Sequence, residues 1–184
     1  MVRITAAEYK ALLARRSGAT ASRPAAAVKP KKARVQAHPG LPSVPEPPDV
    51  EQLLVGLAGV GRTWTLLMPY RVELLTSNQR LHHMAVHRLR SALREDAAKV
   101  ATAMRLPRLE RAAVFYVLHP RPVNRKRDPG NWAPTAKAYV DGLVTDGKLL
   151  PDDSHEHLLG PNPVMGSPVT TGYARMTMVI AELT

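Results

Sequence analysis

The 184-residue chain has no cysteine. That excludes disulfides and thiolate-bound zinc, and it fits a reducing compartment. Aromatic side chains are scarce, with one Phe and two Trp, so there is no sign of the aromatic stacking platform that single-stranded RNA readers use. No apolar run approaches the roughly 20 residues of a membrane span; the longest, Leu53 to Val60, is interrupted by Gly56 and Gly59. The opening MVRITAAEYKALLARR lacks the apolar core and small-residue cleavage site of a secretory signal. Acids are in deficit: 15 Asp and Glu stand against 26 Lys and Arg, a net charge of +11 and a pI near 10.4. A surplus of that size points to a polyanionic partner, nucleic acid before an anionic membrane surface.

What is present divides the chain in two. Ile4, Tyr9, Leu12 and Leu13 have helix-like spacing, but a helix that short needs a partner to persist. Residues 17–49 turn to Ala, Lys and Arg and then to proline, a composition that cannot bury enough apolar surface to offset its ordering entropy. Residues 1–50 are therefore expected as a flexible, disordered basic extension ending in a stiff proline-rich linker. Residues 51–184 are expected as the folded domain.

Within that domain Thr63 to Tyr70 predicts a first strand, which Pro69 places at an edge. Val72 to Leu75 extends or pairs with it, and Thr76-Ser77-Asn78 offers helix-cap chemistry. Val86, Leu89, Leu93, Ala97, Val100 and Met104 then recur at threes and fours, predicting a core-facing helix over 82–104 that Pro107 ends. Ala112 to His119 is unbroken in hydrophobicity and reads as a central strand covered on both faces. Pro134 and Gly147 bracket a second helix whose Ala136, Val140, Leu143 and Val144 face the core. Leu158-Leu159 reads as a short strand, 162–172 as loop, and Ala174 to Leu183 as a closing strand with Met176, Met178 and Ile180 on one face. The sum is an α+β fold: a small mixed sheet with two main helices.

The chemistry concentrates in RKRDPGNWAPTAKAYVDGLVTDGKLLPDD, Arg125 to Asp153. Asp128 follows a strand and a basic loop, and Asp152 and Asp153 follow a helix, which suggests that both loops meet at one end of the sheet. Carboxylates from two loops suit Mg²⁺, a hard cation that takes oxygen ligands and keeps room for water and substrate phosphate. Lys137 lies in the helix between them, where an ammonium can stabilise charge developing on a phosphate. Arg125, Lys126 and Arg127 just upstream suit a phosphodiester backbone. A second basic row, Arg80, His83, His87, Arg90 and Arg94, lies on the first helix and reads either as a phosphate-tracking face or as a solvated one. The His83/His87 pair is weak evidence for zinc without further ligands. Turn chemistry and an ordinary i, i+4 pair, Lys137 with Asp141, account for the same residues without function.

The segments RDPGN, KAYVDGLVTDG and PDDSHEHLLGP together resemble the core signature of the RusA family of Holliday-junction resolvases, most of all its actinobacterial and phage versions. TSNQRLHH before a long basic helix is similar to that family's start, and the likeness spans roughly Thr63 to Leu183. It implies a RusA-like fold and a homodimeric endonuclease that resolves four-way junctions and other branched DNA. It implies Mg²⁺ (or Mn²⁺) on Asp128 and on Asp152 or Asp153, with Lys137 assisting cleavage. It also implies a cytoplasmic, bacterial or phage-encoded protein with no membrane partner. Gly130 stands where the family's first motif has a second acid, and the gap to Lys137 is longer than usual. The alternatives are a non-catalytic DNA-binding relative and a flap or fork nuclease.

Overall fold

β2 (Ala112–His119) is the strand around which the domain is built, buried at seven of its eight positions. Val, Phe, Tyr and Leu in unbroken succession suit a strand with both faces covered. In the computed structural model, which describes residues 42–122 and 126–184, β2 lies inside a four-stranded sheet of order β1-β4-β2-β3. β1 (Val60–Leu67) pairs antiparallel with β4 (Arg175–Leu183), and β4 pairs antiparallel with β2. β3 (Leu158–Met165) closes the other edge, parallel to β2. The fold is α+β with a mixed sheet, as expected. The register aligns Trp64, Ile180 and Val114 in one row and Leu66, Met178 and Tyr116 in the next. These rows pack into the core, together with Met176, Leu158 and Ala112.

Among the described residues three helices accompany the sheet: α1 (Val50–Leu54), α2 (His83–Ala103) and α3 (Ala133–Asp141). A 3₁₀ turn (Pro129–Trp132) leads into α3 and a π-type turn (Gly142–Asp146) continues it. α2 buries Leu93 and Ala97 and packs Val86, Leu89 and Val100 against the core, as its spacing predicts. Met104 departs from that stripe: it caps the helix and is half exposed. α3 and its π turn bury Ala136, Val140, Leu143 and Val144. Gly142 allows the two helices to touch, because a Cβ there would overlap the Arg94 carbonyl and the Ala97 methyl.

Four further readings change. α2 is capped by His82, whose Nδ1 accepts from the Met84 N–H; Thr76-Ser77-Asn78 instead forms a turn closed by Gln79. Val72 to Leu75 adds no strand, although Leu74 and Leu75 are buried. β3 is eight residues long and takes in Asn162 to Met165, where the sequence predicts loop. Pro161 and Pro163 are tolerated because β3 is an edge strand with one ladder partner, and Gly160, at φ 113°, absorbs the register shift opposite Ala113–Phe115. Finally, the proline-rich stretch 42–49 is docked on the domain. The Ser43 hydroxyl accepts from the Thr170 and Thr171 N–H groups at 2.9 and 3.2 Å, and Pro45 is buried. The expected short helix near the N-terminus and the basic stretch 17–41 lie outside the described residues, as does Arg125.

Candidate active site

α3 carries Lys137 on an exposed face, one turn before Asp141. The Lys137 ammonium donates to Asp141 Oδ1 at 2.6 Å and also to Asp153 Oδ2. Asp153 arrives from the loop between the π turn and β3. That loop is held by Leu149, whose N–H donates to the Leu143 carbonyl and whose carbonyl accepts from the Leu109 N–H. Downstream, the Ser154 carbonyl accepts from the His157 and Leu158 N–H groups as β3 begins. Asp152 turns its Oδ1 to the Asp153 N–H at 2.5 Å. The result is an ammonium between two carboxylates, with a third beside it, open to water: Lys137 is 54% and Asp153 38% exposed.

The electrostatics follow from these contacts. Burial works against the Lys137 charge, but the hydrogen bonds it donates to Asp141 and Asp153 outweigh that and hold the ammonium above its ordinary pKa. In return, the hydrogen bond from Lys137 draws the Asp153 carboxyl below its usual range, against a smaller opposing effect of burial. Lys137 therefore stays protonated and Asp153 ionised across the neutral range.

Asp128 makes a different set of contacts. It caps the 3₁₀ turn, accepting from the Gly130 N–H at 2.8 Å. The turn is gripped from two sides. The Ser77 N–H donates to the Asn131 carbonyl at 2.9 Å, Asn78 Nδ2 donates to Asn131 Oδ1 at 3.1 Å, and the buried Thr135 hydroxyl donates to the Leu75 carbonyl at 2.8 Å. The Tyr116 hydroxyl donates to the Pro129 carbonyl at 3.2 Å; burial and then the Asp128 charge raise its pKa. Among the described residues Asp128 does not join Asp152 and Asp153 in one metal-holding group, so the expected set of three carboxylates is not assembled. Asp128 stays beside Tyr116, and its hydrogen bond goes to Gly130 and not to the Lys137 cluster.

Among the described residues no three His, Asp or Glu side chains form a group able to hold a metal ion. Asp152 and Asp153 still fit Mg²⁺ as a partial site. Mg²⁺ keeps several waters and needs only one or two carboxylates beside substrate phosphate, and these two are adjacent, exposed and oxygen-only. The sequence matches no protein-family model, and no curated protein is significantly similar to it.

The expected DNA-binding residues divide in the same way. Arg80, Arg90 and Lys126 are exposed, and Arg127 is half-buried. Arg94 is tied to Asp146 at 3.3 Å. Two cations near the acid pair, Arg108 and Lys148, were missed by sequence reasoning. A signal for one of them was legible: Lys148 follows Gly147 at a helix end, where a left-handed residue is common and is usually glycine.

Proposed function

We propose that this protein is a Mg²⁺-dependent endonuclease of branched DNA, acting on four-way junctions as a homodimer in the manner of the RusA family that its motifs resemble. The observation that carries the reading is the exposed Lys137 ammonium between Asp141 and Asp153, beside Asp152. Mg²⁺ would be held by Asp152 and Asp153, with Asp128 the remaining acid of the motif. Bound there it would polarise the scissile phosphate and lower the pKa of a bound water. Lys137, kept charged, orients Asp153 and offers an ammonium to oxygen on which negative charge develops. The Tyr116 hydroxyl holds the Pro129 carbonyl and so steadies the turn that presents Asp128. Exposed Arg80, Arg90 and Lys126 supply phosphate contacts that carry no sequence information. A C₂ dimer supplies the two identical sites that paired nicks in a two-fold symmetric junction require.

A labelled mobile four-way junction with Mg²⁺ is the test, beside a linear duplex and the Asp128→Asn and Lys137→Met variants. Symmetric nicks in the junction alone are expected. Lys137→Met should lose about 10²–10³-fold in rate, the usual cost of removing one preorganised charge-stabilising donor. Tight junction binding without nicks, in Mg²⁺ and in Mn²⁺ alike, would replace the reading with that of a non-catalytic DNA-binding protein. The dispersed acids, with Asp128 hydrogen-bonded apart from Asp153, are the observation that favours this second reading.

A further inference from the structure

We propose that the cavity beside the acid pair is a phosphate-holding site, in which Arg108 and Lys148 receive a backbone phosphodiester of the bound DNA. The inference rests on the nucleic-acid reading above, though not on cleavage. The cavity measures about 290 Å³, and its lining includes Arg108, Val144, Lys148, Leu150, Asp152 and Asp153.

The two cations meet because two helices end together. Gly142 packs on Arg94, and Gly147 packs on Ala101, so α2 and the α3 extension run side by side in the same direction. Each exits through a left-handed residue that is a cation: Arg105 at φ 49° and Lys148 at φ 55°. The exit loops are then stitched by the Leu109 N–H donating to the Leu149 carbonyl at 2.7 Å. Arg108 and Lys148 are the residues just before the two ends of that bond.

Among the described residues their charges have no carboxylate partner. Arg62, Arg71, Arg94, Lys99 and Lys137 each hold a carboxylate. Among the described residues neither Arg108 nor Lys148 takes part in an ion pair, although Asp152 and Asp153 line the same cavity. Lys137 has claimed Asp153, and one oxygen of Asp152 faces a backbone N–H. Helix C-termini favour nearby cations, which explains why Lys148 is tolerated there. It does not explain why Arg108 faces the same cavity. A guanidinium fork and an ammonium are the donors that phosphate oxygens take. A phosphodiester seated on them would lie next to the acid pair, which is where a strand must pass to be cut.

The test is binding of the full-length protein to a labelled four-way junction in EDTA, across a salt series. The variants are Arg108→Ala with Lys148→Gly, chosen because glycine keeps the left-handed backbone, and Lys99→Ala as a control cation. The double variant should bind about tenfold more weakly, with the slope of log affinity against log salt shallower by roughly 1 to 2, about one for each phosphate no longer neutralised. Thermal melting should show it folded, and Lys99→Ala should match wild type. Affinity and slope unchanged in the double variant, or changed no more than in Lys99→Ala, would overturn the assignment. Cleavage by wild type in Mg²⁺ is scored separately. If wild type cuts while the double variant binds normally, the cavity assignment fails and the nuclease reading stands. If wild type never cuts but the double variant loses slope, the cavity assignment stands and the nuclease reading fails. A wild type that binds no DNA overturns both.

Discussion

Two Asp-centred ion clusters lie on the helical side of this domain, and their surroundings give them opposite meanings. Asp96 on α2 is 7% exposed; Arg71 Nε and Nη2 meet its two oxygens at 2.5 and 2.8 Å, and Nη2 also reaches the Ala92 carbonyl. Removing Arg71 there strands the Asp96 carboxylate away from water. Asp153 and Asp141 share Lys137 at the surface, where water can replace any of the three. The chemistry is the same carboxylate with a cation. Burial makes the first a fastening of the fold, while exposure leaves the second free to exchange its ammonium for a ligand.

The contrast is broken or sharpened by parallel substitutions. Arg71→Ala should cost about 2–3 kcal/mol of stability, since it leaves the largely buried Asp96 carboxylate without its cation. Asp153→Ala should cost about 0–1 kcal/mol, the usual worth of an exposed pair. Urea unfolding measures both, and equal losses would remove the distinction. The pH response of Asp153 is a finer probe. Its folded pKa lies below the ordinary 3.8, chiefly through the hydrogen bond from Lys137. Its contribution is therefore complete above that ordinary value and is lost as pH falls through the folded pKa. Wild type and Asp153→Asn should differ by a constant amount at neutral pH and converge only in the acid range below about 4. Convergence near neutrality would contradict the assignment. The smallest effect concerns the helix exit: Lys148→Gly should raise stability by about 0.5–1 kcal/mol, because the left-handed backbone is unstrained for glycine. A lower melting temperature would mean that the Lys148 side chain packs in a way that matters.

The legible parts of the fold are those where local pattern and tertiary environment agree. The spacing Val86, Leu89, Leu93, Ala97 predicts α2 within a residue or two of its ends, and the Ala112–His119 run predicts β2 with its bounds. β3 is half hidden because prolines at 161 and 163 argue against a strand unless it is known to be an edge. Asp96 reads as part of a solvated face, since its partner Arg71 lies 25 residues away in an irregular segment. In the candidate site, Lys137 with Asp141 follows from helical spacing, and the proximity of Asp153 is what a helix followed by a turn permits. That Asp128 caps the 3₁₀ turn and forms no metal-holding group with Asp152 and Asp153 is not legible, because that turn is held by Ser77, Asn78 and Tyr116 from distant segments.

By itself, the sequence determined the net charge through its basic excess, the two helices and central strand through hydrophobic period, and the candidate acids and lysine through their spacing. Those are local or summed properties, readable one residue or one turn at a time. Tertiary structure alone decided that Arg71 holds Asp96, that the Asp128 turn is gripped by Ser77, Asn78 and Tyr116, and that Arg108 and Lys148 share a cavity. Each of these depends on where distant loops come together, and that is set by strand order and helix packing rather than by spacing along the chain.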